Sequence, residues 1–366
     1  MACDVKHTTR ICDIVVIMQT EERGDRPEAG RRATMQHVAA LANVSLKTVS
    51  RVINGEPGVS PVLSSQVLEA AERLGYRRNL TASNLRRGQR TASIGVLVQD
   101  LSNDFCGELL RAVEERARDR GVVVMSASLD DERERERDLV TGLVHRRCDG
   151  LVLMPASVDQ SYLLPELLAG LKVVMVDRPP TNIAVDSVTV DNRGGAASAI
   201  DHLVRHGHRR IGCLVDSLAI PTAAERLTGC REALGRAGVA LDPALEHAGA
   251  RTADEALDAV TAMLDLPDPP TAFFCGRNVI SVGAVRALRS RELQHRVAMV
   301  GFDDFATADL LEPGLTTIRQ DARAEGRQAV DLLLARLDGQ DGPAQSIVLE
   351  TEMIERGSGE LPGPFA

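Results

Sequence analysis

Residues 33–54 read ATMQHVAALANVSLKTVSRVIN, two short helical patterns separated by a tight turn. Thr34 is placed to cap the first pattern, and Val38, Ala39, Leu41 and Ala42 follow at helical spacing. Asn43 tolerates the turn, Ser45 caps the second pattern, and Val49, Val52 and Ile53 give it an apolar side. Leu46, Lys47, Thr48, Ser50, Arg51 and Asn54 are left facing outward. That set suits the major groove of double-stranded DNA: Lys and Arg for guanine edges, hydroxyls and an amide for phosphates or bases, Leu for a thymine methyl. A plain amphipathic pair with a solvated face would share the periodicity but not this choice of outward residues.

Downstream, Ser60 and Pro61 read as N-cap and first residue of a third helix that ends at Gly75, with Val67, Leu68, Ala71 and Leu74 closing a three-helix core. The whole chain has 366 residues, too long for one ordinary core, and 44% are hydrophobic. Aromatic residues make up 2%, with no Trp, so the interior is to be built from Ala, Val, Leu and Ile. The formal charge of -9 argues against a nucleic-acid partner until its distribution is considered. Residues 33–90 hold eight basic side chains against three acidic ones, a local +5 that leaves -14 elsewhere. A basic module on an acidic body is the footprint of phosphate binding at one end. The seven Cys form no paired spacing and read as reduced thiols of a cytoplasmic protein. Ile11 to Met18 is apolar but too short to span a bilayer and is interrupted by Asp13, so neither a signal peptide nor a membrane anchor is expected. Residues 1–32 read as a polar extension without sustained structure.

From Ser93 the pattern changes to short apolar runs alternating with helices, a parallel α/β arrangement. Runs at 94–98, 122–125, 150–154 and 173–176 form one series, and 211–215, 271–275 and 298–301 a second. Helices are expected near 108–120, 138–146, 225–237, 253–264 and 279–289. Polar residues cluster just after the strands: Asp100, Asn103 and Phe105 after the first, Asp177 and Arg178 after VVMV, and Arg277 and Asn278 after FFCG. Asp303 follows VGF, Gln320 follows LTTIR, Asp191 lies near a crossover, and Arg226 stands in ERLTGC. Each alone reads first as a turn residue or helix cap; together they sit where ligands bind in open α/β sheets.

The order AT...VA..ANVS..TVSRVIN, continued by the tandem α/β series, resembles the LacI/GalR family of bacterial transcriptional regulators. The resemblance implies a small all-α helix-turn-helix headpiece followed by a two-lobed α/β periplasmic-binding-protein-like core with parallel sheets. It divides the chain into an extension over 1–32, a DNA-binding domain over 33–76, a hinge over 77–92, and an effector-binding and dimerisation domain over 93–366. Thr34, Ser45, Leu46, Lys47, Thr48, Ser50, Arg51 and Asn54 are then the DNA-binding set. Leu85 takes the place of the hinge Leu that wedges into the minor groove, with Arg86 beside it. Asp100, Asn103, Phe105, Asp177, Arg178, Asp191, Arg226, Arg277, Asn278, Asp303 and Gln320 match the family's effector pocket. The implied partners are a pseudo-palindromic operator, a sugar-like effector and a second copy of the chain, with no membrane. Many relatives have Asn-Asp where this chain has Arg277-Asn278, which makes an acidic or phosphorylated effector more plausible, while a salt bridge of Arg277 on the rim is an equal reading.

No P-loop, GxSxG or HExxH motif is present, so no enzyme activity and no cofactor are expected. His202, His206 and His208 suggest a metal only weakly, for want of acidic partners, and the run DDERERERD over 130–138 reads as a solvated helix start. A solute-binding protein and an architectural DNA binder without a working effector switch are the alternatives.

Overall fold

The computed structural model describes residues 33–77 and 91–365. The chain separates after Gln89 into two compact units.

In the first unit, helices α1 (Met35–Leu41), α2 (Leu46–Ile53) and α3 (Pro61–Arg73) enclose Val38, Val49 and Val67, which have no solvent exposure. Thr34, Ser45 and Ser60 each cap a helix by accepting from the backbone amide three residues on. Asn43 turns between α1 and α2 with φ +50°, which Asn adopts more easily than a branched residue. One core assignment fails: Leu68 is 54% exposed, and Ala70 takes its place beside Ala71. The face shared by Val67, Ala70, Ala71 and Leu74 follows the helical repeat, and Leu68 falls off its edge.

The second unit has two lobes. The first contains β1 (Ser93–Val98), α4 (Asp104–Asp119), β2 (Val123–Ser128), α5 (Arg133–His145), β3 (Gly150–Leu153), α6 (Leu164–Leu168), β4 (Lys172–Val176) and β5 (Asp186–Val190). The chain crosses at Asp191 into α7 (Asn192–Arg205), β6 (Ile211–Val215), α8 (Pro221–Arg236), β7 (Glu246–Ala248), α9 (Ala253–Leu264), β8 (Ala272–Cys275), α10 (Asn278–Ser290), β9 (Ala298–Phe302) and β10 (Thr316–Arg319). It returns with α11 (Ala322–Leu337) and β11 (Ser346–Leu349), then crosses again to β12 (Glu352–Ile354). The sheets run β11-β5-β4-β3-β1-β2 and β12-β10-β9-β8-β6-β7, and every pairing is parallel except β10 with β12. Apolar packing on both faces of each sheet explains why the central strands are continuous Val, Leu and Ile runs.

Asp191 and Asp321 stand at two of the three crossovers and cap α7 and α11 by accepting from Gly194 N at 2.7 Å and Ala324 N at 2.8 Å. In α8, Gly229 lies so close to α7 that an added Cβ would meet the Arg193 carbonyl oxygen at 2.2 Å. Gly229→Ala is therefore expected to destabilise the core by about 1–3 kcal/mol, seen as a lowered thermal midpoint. An unchanged midpoint would show that the two helices separate freely.

Candidate functional site

On the first unit, Leu46, Lys47 and Arg51 are exposed along α2. Thr48, Ser50 and Asn54 are half-buried, and Asn54 Nδ2 donates to Ser50 Oγ at 3.3 Å. The Thr34 and Ser45 hydroxyls serve their helix caps, and Ser45 Oγ also shares a hydrogen bond with Thr48 Oγ1 at 2.9 Å. Leu85 and Arg86 lie outside the described residues.

In the second unit the strand ends of both lobes converge on a cleft. Asp177 follows β4 and Asp303 follows β9, with φ +62° and +69°, the same strained bend at the same place in each lobe. Arg226 on α8 is 5% exposed and reaches across the lobe's strand ends. Its Nε donates to Asn192 Oδ1 at 2.7 Å and its Nη1 to the Gly276 carbonyl at 2.8 Å, with Asp303 Oδ2 at 3.4 Å. The guanidinium carbon lies 3.7 Å from the centroid of the Phe302 ring, a cation–π contact. Gln320 Nε2 donates to Asp303 Oδ1, while its own Oε1 is buried without a partner.

Arg178 Nη1 donates to Asp131 Oδ1 at 2.7 Å and to the Pro155 carbonyl at 2.9 Å. Arg277 donates to Asp216 Oδ2 at 2.7 Å in its own lobe and to Gln99 Oε1 at 2.8 Å in the other. A second link joins the lobes through Asn103 Nδ2 and Asn278 Oδ1 at 3.1 Å, and a third through Ala306 N and Asp104 Oδ2 at 3.2 Å. These links hold the lobes close, so the central cavity measures about 50 Å³.

The cavity is lined by Asn103, Phe105, Asp177, Arg178, Arg226, Arg277, Asp303 and Gln320, all picked out from the sequence. Asn278 sits at the lobe junction, tied to Asn103. Asp100 and Asp191 stand apart from it: Asp100 accepts from Ser102 N at 2.8 Å within a turn, and Asp191 is an exposed helix cap. Short polar side chains after strands often satisfy local backbone groups, and that is what happens at both positions. Gln99, Asp216 and Thr222 line the cleft although the sequence reading passed over them. Asp216 carries the very signal used for the others, a polar residue directly after an apolar run. Phe302 is fully buried beneath Arg226, which leaves Phe105 as the aromatic wall. Arg277 is spent on Asp216 and Gln99, so this residue gives no support to an acidic effector.

Two other sequence expectations change. Glu136, in the run read as solvated, has no exposure and accepts from Ala156 N, Ser157 N at 3.1 Å and Tyr162 Oη at 2.7 Å. His202 does have acidic neighbours, Glu360 Oε1 at 2.7 Å from Nε2 and Glu355 Oε1 at 3.7 Å from Nδ1. They face opposite ring nitrogens, so they brace the C-terminal segment rather than share one ligand direction.

Buried carboxyls underlie the cleft. Burial pushes Glu325 on α11 well above the ordinary glutamate range, with the Asp177 charge adding to the shift, and burial raises Asp177 too. Glu325 Oε1 accepts from the Asp177 backbone N–H, while Oε2 has no partner.

A helix-turn-helix unit joined to a two-lobed cleft defines a ligand-responsive DNA-binding regulator. Residues 34–79 match the family model described as bacterial regulatory proteins, lacI family, and residues 200–359 match the periplasmic binding protein-like domain. The ribose operon repressor of Escherichia coli (strain K12) is 34% identical over 330 residues, covering 89% of this chain and 99% of that protein. The lac repressor dimer bound to operator and the anti-inducer ONPF superposes with a TM-score of 0.77 at 27% identity, covering 90% of this chain and 99% of its own. The transcriptional regulator CelR–cellobiose complex gives 0.66 at 32% identity, covering 89% of this chain and 100% of its own. The chain belongs to the LacI family of bacterial transcriptional regulators.

Because burial raises Glu325 in the folded protein, its contribution to stability is full below the ordinary value of 4.5 and is lost as pH rises through its folded value. Glu325→Gln keeps the acceptor for the Asp177 amide and removes the titration. Its thermal midpoint is expected to fall less than that of the parent protein between pH 5 and about 8. A steeper fall in the variant would contradict the upward shift of Glu325.

Proposed function

We propose that the protein is a repressor whose affinity for a pseudo-palindromic operator is set by a sugar-like metabolite bound between the lobes of its core. The observation that carries this reading is the cleft itself, where Arg226, Asp303, Asp177 and Gln320 converge from separate strand ends while Arg277 and Gln99 tie the lobes together. Such polar walls exchange hydrogen bonds with hydroxyls and leave unpaired groups with the wrong ligand, which is how selectivity arises. A ligand entering the cleft must part or re-angle the lobes, and that motion is transmitted to the DNA-binding unit at a coupling of about 1–3 kcal/mol. The relative bound to operator is a dimer and another relative is a cellobiose complex, which supports a dimeric, sugar-responsive form of this chain.

In this reading residues 33–76 bind DNA, 77–92 act as hinge with Leu85 and Arg86 on the minor groove, and 93–366 bind effector and dimerise. Leu46, Lys47 and Arg51 read bases; Thr34, Ser45, Thr48, Ser50 and Asn54 contact phosphates or base edges. The protein acts in the cytoplasm, where its DNA is, and no helix among the described residues is long and apolar enough to cross a membrane. The cleft works by binding rather than catalysis: its arginines are paired with carboxylates, and burial pushes the Cys106 thiol up to about 12, away from nucleophilic use.

Binding to DNA from upstream of its own gene, against scrambled DNA at one fixed salt concentration, tests the regulator. A preference of about a thousandfold is expected. Arg51→Ala is expected to cost about 1–3 kcal/mol on the operator and much less on random DNA. Equal losses on both would remove Arg51 from base reading, and no preference in the parent protein would favour an architectural DNA binder.

A further inference from the structure

Next to the central cavity the cleft opens into a second compartment of about 220 Å³, with Arg178 lining both. We propose that this compartment is a phosphate subsite, and that the effector is a phosphorylated sugar whose polyol part occupies the centre. The inference rests on the effector-cleft reading and adds the class of ligand to it.

Charge separates the two compartments. The centre is balanced, with Asp177, Asp216 and Asp303 against Arg178, Arg226 and Arg277. The side compartment adds Arg133 and Arg251 against Asp131 alone, with Arg178 shared between the two. Two donors there have no hydrogen-bond partner. Ser157 is 6% exposed and its Oγ has no partner. Arg178, 7% exposed, keeps its Nε free of hydrogen bonds, with the Asp177 carboxylate at 3.4 Å.

The 16-residue helix α8 begins at the same wall, with Ile220 as N-cap and Pro221 as first residue, and no side chain caps its amides. Its positive end favours an anion, and phosphate accepts from backbone amides and arginine together. The buried Glu136 carboxylate fixes the stretch that carries Ser157 by accepting from the amides of Ala156 and Ser157. The run over 130–138 thus supplies Asp131 and Arg133 to the lining and Glu136 to the support behind it.

Two experiments on the intact protein test this. Thermal shift with inorganic phosphate, against chloride at equal ionic strength, should show stabilisation in the parent protein that is lost in Arg133→Ala/Arg251→Ala and reduced in Ser157→Ala. Calorimetry with matched pairs, glucose and glucose 6-phosphate, fructose and fructose 1-phosphate, ribose and ribose 5-phosphate, should find a phosphorylated member binding at least about tenfold tighter than its parent sugar. That ratio should fall toward one in the double variant. Sugars binding as tightly as their phosphates, or a preference that survives the double variant, would overturn the subsite and leave the effector cleft standing. Gluconate matching the best phosphate would overturn the phosphate assignment in favour of a carboxylate. No stabilisation by phosphate and no binding by any probe would overturn both readings.

Discussion

The core depends on keeping the Arg226 charge satisfied after it has been taken out of water. One guanidinium, 5% exposed, is shared among the start of α7 through Asn192, the end of β8 through the Gly276 carbonyl, and the bend after β9 through Asp303, with Phe302 beneath it. Removing a partner from such a buried pair typically costs about 3–5 kcal/mol, because the remaining charge is left without compensation. The arginine therefore makes three separate strand and helix ends depend on one another, and any ligand that engages Asp303 or Gln320 perturbs all of them.

The first lobe repeats the device in a different form. Asp177, bent into the same left-handed conformation as Asp303, lies between Arg178 and the buried Glu325 of the returning helix α11. Between these two anchored bends polar groups link the lobes, at Gln99–Arg277, Asn103–Asn278 and Ala306–Asp104. Polar links of this kind exchange readily for hydrogen bonds to a ligand or to water. In the proposed switch, that exchange lets the cleft pass between two states separated by a small free energy.

Much of this was legible in the sequence because its signals were local. Ser45 and Ser60 capped helices where hydroxyls before apolar periodicity said they should, and apolar runs such as VVMV and FFC became buried central strands. Strand β5, the crossover helices α7 and α11 and the returning strands β11 and β12 escaped notice, since their place depends on chain crossings between lobes. The same cause hid Glu136 and Glu325, which look solvated in one dimension and are buried only because distant loops and strands close over them. Asp100 and Asp191 erred the other way, satisfying their own backbone neighbourhood instead of facing the cleft.

The most direct test of the account is the operator affinity of the intact protein measured across effector concentration, in the parent chain and in Asp303→Asn. The account predicts a change of roughly 5- to 150-fold on saturating the cleft of the parent protein, and a much smaller ratio in the variant. An operator affinity that ignores the bound metabolite, or a ratio that Asp303→Asn leaves intact, would contradict it.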